Sequence, residues 1–311
     1  MTVPKLKKKV YSIGGSPELV VYGDINPVFA ATELIPSEDH TAEPERDAIR
    51  IFFLGGTQAA AAPLEIPPDT RPVFEDSDVT IKAKGAYRYG EWYGRARSIT
   101  DLERKLAIIV LPGLKPLNKD FISRFIFRPI LDSLLSERGY IPIHAAGIAF
   151  GTGGCIIAGP AGSGKTSLLT GLVERGFGFM ADDRILVKED SVKGVCMHAF
   201  PEYIRCAVTA RGPKRLVLPP PTAIETTPVH FILILEGKSA INTPSLKAIG
   251  KAEAAARLFQ FISANLEPFA RHRAFNIIGD LCDISNAYVV RGWGNPRAVI
   301  RLTADILEGK M

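Results

Sequence analysis

The chain has 311 residues, 46% of them hydrophobic and 23% charged, with a formal net charge of +5. This composition is ordinary for a folded globular protein of one large or two ordinary domains, and it excludes wholesale disorder and fibrous repeats. The small positive excess favours anionic ligands without demanding nucleic acid.

At the N-terminus Lys5, Lys7, Lys8 and Lys9 are followed by Val10, Tyr11, Ser12, Gly14 and Gly15, which lack the continuous apolar run of a signal peptide. The longest apolar runs, such as Leu106 to Leu111 and Phe231 to Leu235, fall far short of the ~20 residues that span a bilayer. Cys155, Cys196, Cys206 and Cys282 form no C-x-x-C pair. Neither a disulfide framework nor a thiolate metal cluster is expected, and the reading is a cytoplasmic, non-membrane protein with reduced thiols.

Residues 1–117 read as a β-rich N-terminal domain. Short strands are expected at Leu19 to Tyr22, Ile49 to Leu54, Val79 to Lys82, Tyr87 to Trp92 and Leu106 to Val110, most with Gly, Pro or Asp close to at least one end. The stretches from Pro36 to Asp47 and from Ala59 to Pro72 are expected as surface loops. Tyr87, Arg88, Tyr89, Trp92, Tyr93, Arg95 and Arg97 interleave aromatic and basic residues. This suits a half-buried strand and turn better than single-stranded nucleic acid, and a peptide-docking surface is the better functional guess for this domain.

A second domain, 118–311, opens with a helix from Asn118 to Arg138, where Phe121, Ile122, Phe125, Ile126, Ile130, Leu131, Leu134 and Leu135 recur at helical spacing. Pro129 should kink it and Gly139 should stop it. Tyr140 to Phe150 then reads as one strand, Gly151 to Gly153 as a turn and Gly154 to Ala158 as a second strand. A hairpin centred on Thr152 sets position 144 opposite position 160 and brings His144 beside the next loop.

Gly159, Pro160, Ala161, Gly162, Ser163, Gly164, Lys165 and Thr166 fit G-x-x-x-x-G-K-[ST] between that apolar strand and a helical segment from Ser167 to Arg175. Glycines let backbone N–H groups turn toward a phosphate, and the helix start through Ser167 adds its positive dipole end. Lys165 supplies a cation and the Thr166 hydroxyl a ligand for Mg²⁺. Asp182 and Asp183 end the next strand, Phe177 to Ala181. Nine helical residues travel about 13.5 Å and five strand residues return about 16 Å, so a βαβ crossover brings both carboxylates to the sheet edge of the loop. There one can hold Mg²⁺ and the other can accept a hydroxyl proton.

Asp182 follows Lys165 by only seventeen residues. With Ile143-His144-Ala145-Ala146-Gly147, Glu174-Arg175-Gly176 and Ala181-Asp182-Asp183, the stretch from about 139 to 190 resembles the catalytic domain of HPr kinase/phosphorylase. It also resembles HPr-kinase-like relatives, some of which act on ribosomally made peptides, and a related arrangement occurs in phosphoenolpyruvate carboxykinases. The resemblance implies an α/β P-loop catalytic domain behind the β-rich domain. It further implies His144 near the transferred phosphate, Asp182 as base for a serine hydroxyl, and Asp183 as the metal-side partner. Ser167 stands where the bifunctional enzymes carry an acidic residue, and their downstream Glu-x-Arg-Gly type signature is not found. The dephosphorylating activity and HPr itself as substrate are therefore not carried over.

After a strand at Val195 to Phe200 come Arg205, Arg211, Lys214 and Arg215, which can neutralise phosphate charge or hold an acidic acceptor; Arg205 is the chosen catalytic candidate. His40, His198, His230 and His272 show no metal-ligand spacing. Val229 to Leu235 reads as a buried strand, and Ala252 to Ile262 and Arg297 to Leu307 as amphipathic helices that complete the α/β layers. The expected activity is an ATP- and Mg²⁺-dependent kinase acting on a serine-type hydroxyl of a protein or peptide. A small-metabolite kinase and a nucleotide-binding regulatory module are the alternatives. Neither a membrane nor nucleic acid is the expected partner, and assembly into a homo-oligomer stays open.

Overall fold

The computed structural model describes residues 6–23, 34, 44, 46–55, 64–111, 121–207, 214–217, 224–237, 243–263, 266–292 and 294–310, with only the backbone for 17, 205–207 and 214–216. The loops expected at 36–43 and 59–63, and Arg211, lie outside the described residues. The protein is mixed α/β and divides into two compact units, Met1–Arg138 and Gly139–Met311.

The first unit holds an eight-stranded sheet. Its strands are β1 (Lys7–Ile13), β2 (Ser16–Gly23), β3 (Ile49–Gly55), β4 (Arg71–Glu75), β5 (Val79–Lys84), β6 (Tyr87–Trp92), β7 (Ala96–Asp101) and β8 (Leu106–Leu111), in the order β1-β2-β3-β8-β7-β6-β5-β4. Three strands go beyond the sequence reading. β1 turns into β2 through Gly14 and Gly15, both at positive φ (55° and 90°) as a tight two-residue hairpin requires. β4 takes in Arg71 and Pro72, the end of an expected loop, and is exposed along its whole length at the sheet edge. β7 pairs with β6 and β8. Alternation sends Ile49, Ile51 and Phe53 of β3 to a buried face.

The expected kinked helix is a π-helical stretch, Ile122–Phe127, followed by α1, Arg128–Glu137, with Pro129 in its first turn. Proline has no N–H to return to a carbonyl four residues back, and the wider turn precedes it. This helix closes the first unit instead of opening the second. Arg138, at its C-terminal end, pairs with Glu18 of β2 (Nε to Oε2, 3.1 Å), both side chains less than a tenth exposed, and donates to the backbone carbonyl of Asp47.

The second unit is a nine-stranded sheet with helices on both faces. Its strands are β9 (Ile141–Ile143), β10 (Ala145–Phe150), β11 (Gly153–Ala158), β12 (Gly178–Ala181), β13 (Ile185–Asp190), β14 (Gly194–His198), β17 (Thr226–Leu235), β18 (Ser245–Ala248) and β19 (Asn286–Arg291); β15 (Ile204–Ala207) and β16 (Lys214–Val217) form a separate hairpin. The helices are α2 (Lys165–Val173), α3 (Lys251–Phe259), α4 (Pro268–Ile284) and α5 (Pro296–Leu307). Strand alternation splits the core. Cys155, Ile157, Leu233 and Leu235 pack with Leu168 and Leu172 of α2 and Val299 and Leu307 of α5. Ile156, Ile232 and Ile234 pack with Leu258 of α3 and Ile277 and Leu281 of α4.

β17 is shared. Its start, Thr226 to Pro228, pairs antiparallel with β14, and Phe231 to Leu235 runs parallel between β11 and β19. The expected single strand from 140 to 150 is two strands broken at His144: β9 pairs with β13, whereas β10 pairs with β11 and β12. The β10–β11 hairpin is also one residue tighter than expected, with Phe150 opposite Gly153, so position 144 falls level with Gly159 and not 160. Gly151, at φ 53°, allows that two-residue turn.

Candidate functional site

β11 ends at Ala158 and α2 begins at Lys165, so Gly159 to Gly164 form the loop between a buried central strand and a helix N-terminus. A Cβ on Gly159 would lie 2.7 Å from Ser163 Oγ and 2.8 Å from the Leu235 carbonyl oxygen, which restricts the loop's first position to glycine. Gly162 and Gly164 sit at φ 78° and 103°, where other residues are strained, and Gly162 faces open space. The Ser163 amide donates to the Pro160 carbonyl (3.1 Å), and the first helical bond runs from Leu168 N–H to Gly164 (2.9 Å). The amides at the start of α2 are the ones a helix cannot satisfy internally, and they favour an anion.

Lys165 is buried, and its ammonium donates to the carbonyls of Gly159 (2.7 Å) and Pro160 (3.3 Å), folding across the loop it belongs to. Thr166 donates its hydroxyl to Asp182 Oδ1 at 2.7 Å. That contact exists because β12 runs parallel to β11, on the far side of the intervening antiparallel β10, and ends one residue before Asp182. Asp182 is 5% exposed.

Asp183 is more open and faces His144. The histidine Nδ1 lies 3.1 Å from the Asp183 carbonyl oxygen and 3.3 Å from its Oδ1. Both partners are acceptors, which assigns the proton to Nδ1. The break between β9 and β10 frees the His144 backbone from either ladder, and its N–H donates to the Phe261 carbonyl (2.7 Å).

The structure thus sets two hydrogen-bonded pairs, Thr166–Asp182 and His144–Asp183, beside the loop across which Lys165 folds, with Ser167 in the first turn of α2. Arg205 lies on β15, with Lys214 and Arg215 on its partner strand, and the structure describes their backbone only.

Sequence reading missed one pair here. Arg184, directly after the aspartates, is buried and points its Nε toward Glu202 Oε1 (3.9 Å), with its guanidinium 5.5 Å from the Phe200 ring. It fastens the aspartate turn to the segment that leads into β15. The signal available was a charged residue opening the apolar run Ile185-Leu186-Val187.

Thr166 and Asp182 present a hydroxyl and a carboxylate oxygen, the hard donors Mg²⁺ takes when substrate phosphates complete its shell. The glycine cradle and Lys165 fit a polyphosphate.

No protein-family model matches the sequence, and no curated protein matches it significantly. Among solved structures the HPr(Ser) kinase/phosphatase from Coxiella burnetii is similar. Its identity is 14%, the alignment covers 54% of this chain and 99% of that one, and the TM-score is 0.28. A score that low carries neither fold nor function, and the mixed α/β architecture rests on the strands and helices themselves. Among the described residues no helix is long and apolar enough to cross a membrane.

Proposed function

We propose that the protein is an ATP- and Mg²⁺-dependent kinase that transfers the γ-phosphate to a serine-type hydroxyl of a protein or peptide. One observation carries the reading: the Thr166–Asp182 hydrogen bond at the start of the helix that closes a glycine loop holding Lys165. The loop amides and Lys165 would bind the phosphates and offset the charge that spreads over the transferred group. Thr166 and Asp182 would hold Mg²⁺, which when bound neutralises charge between the β- and γ-phosphates.

Asp182 is also the candidate base for the acceptor hydroxyl, and Asp183, oriented by His144, is the second carboxylate. The two tasks separate experimentally. Loss of a metal ligand raises the Mg²⁺ concentration needed, whereas loss of the base lowers the rate at saturating Mg²⁺ by about 10²–10⁴-fold. The Thr166 contact favours Asp182 for the metal.

The test is incubation of the purified protein with γ-labelled ATP, Mg²⁺ and cell lysate. Acid-stable label on a polypeptide is expected, absent with Lys165→Ala and Asp182→Asn. Label running with small molecules would favour a metabolite acceptor, and labelling by both variants at the wild-type rate would sink the assignment.

A further inference from the structure

The edge of the sheet that carries the loop also carries a second charged group. Glu236 follows β17, Arg291 closes β19, and Arg257 reaches Glu236 from α3. Arg291 Nε donates to Glu236 Oε2 (2.5 Å) and Arg257 Nη1 to Glu236 Oε1 (3.1 Å). Arg257 Nε is fixed in turn by Glu253 (2.9 Å). The hydrogen bond from Arg291, helped by the charges of both arginines, holds the Glu236 carboxyl below the usual carboxylate range. Arg291 uses only Nε: among the described residues its two Nη groups make no hydrogen bond, and the side chain is 42% exposed. The end-on fork of its guanidinium is therefore oriented and open.

Register fixes where that fork stands. β11, β17 and β19 lie side by side and parallel, with Ala158 level with Ile234 and Leu235 level with Val290. At strand spacing, Glu236 is about 4.8 Å and Arg291 about 10 Å across the sheet from the first loop residues. On the opposite flank the order is β11, β10, β12, and the end of β12 leads to Asp182. The loop thus has the aspartates two strands away on one side and Arg291 two strands away on the other. A triphosphate laid along the carboxyl ends of these strands, with its γ end at the aspartates, would direct its other end toward β17 and β19.

We infer that Arg291, held by Glu236 and Arg257, receives the nucleoside half of the bound nucleoside triphosphate and donates its guanidinium fork to acceptor atoms there. The inference rests on the loop being a triphosphate site. Arg291 is the contacting residue; Glu236 and Arg257 are positioning residues. Lysine at 291 would keep the charge but not the two parallel donors.

The test compares Mg·ATP with Mg·tripolyphosphate, which has the phosphates and no nucleoside, by calorimetry on the full chain. Arg291→Ala should weaken ATP about tenfold or more and leave tripolyphosphate unchanged. Arg291→Lys should recover little of the ATP affinity, and Glu236→Gln should give a smaller loss confined to ATP. Unchanged ATP binding in Arg291→Ala, or an equal loss for both ligands, overturns the inference while leaving the triphosphate site standing. A wild-type protein that binds neither ligand overturns the site itself and the inference with it.

Discussion

His198 ends β14 with its Nδ1 3.1 Å from the Thr226 hydroxyl and its ring edge-on to Tyr140, whose face also carries the Lys188 ammonium at 4.6 Å. Burial, and then the charge of Lys188, push its imidazole down to about 4. The folded value lies below the ordinary 6.5, so the unfolded chain binds the extra proton first as pH falls. Stability contributed by neutral His198 is complete above about pH 6.5 and drains away between there and about pH 4, by up to about 3 kcal/mol. Denaturant midpoints at pH 7 and pH 5 should show a larger drop for the wild type than for His198→Gln, which keeps a hydrogen-bonding side chain without the titration. Equal drops would remove His198 as the cause.

The loop between β11 and α2 separates two kinds of glycine. A Cβ at Gly159 meets a backbone carbonyl, which cannot swing aside, whereas one at Gly162 meets open space and only the strain of a positive φ. Gly159→Ala should therefore destabilise the second unit by about 1–3 kcal/mol and abolish Mg·ATP binding. Gly162→Ala should cost about 1 kcal/mol and keep measurable binding. Thermal melts and calorimetry check both, and the reverse ranking would contradict the loop geometry.

This strand, loop and helix were legible in sequence because each is specified locally, by an apolar run, spaced glycines and a helix start. Elements whose pattern is masked locally were not. Three exposed lysines hide the buried Val10, Tyr11 and Ile13 of β1, and β4 buries nothing. α4 carries its apolar stripe through Ala270, Ala274, Ile277, Ile278 and Leu281, but exposed Phe269, Phe275 and Ile284 blur it. Tertiary pairing was not legible: Arg184 stands out as a charge opening an apolar run, but nothing local names Glu202 as its partner, nor Arg291 as that of Glu236. His144 was found beside the loop, yet the break in the strand that frees its backbone depends on β13 choosing β9 as its neighbour.

Each unit of the molecule has its own sheet and buried apolar core, so unfolding of the whole chain need not be described by one transition. Within the second unit persistence is uneven. The amides of Ile232 to Ile234 are in a fully buried stretch of β17 flanked by parallel strands on both sides, and the loop's first residue leans on Leu235 at the end of that stretch. Segments so enclosed open last, whereas most ligand loops belong to the parts that open first. The loop from Gly159 to Gly164 is thus moored to the stretch of its unit expected to exchange slowest. Hydrogen exchange should find those amides among the best protected in residues 139–311, and on heating ATP binding should vanish together with them. Early loss of binding, while they remain protected, would show the mooring to be loose. If the loop binds nucleotide as proposed, its mooring leaves no temperature range in which this unit is folded but blind to that ligand.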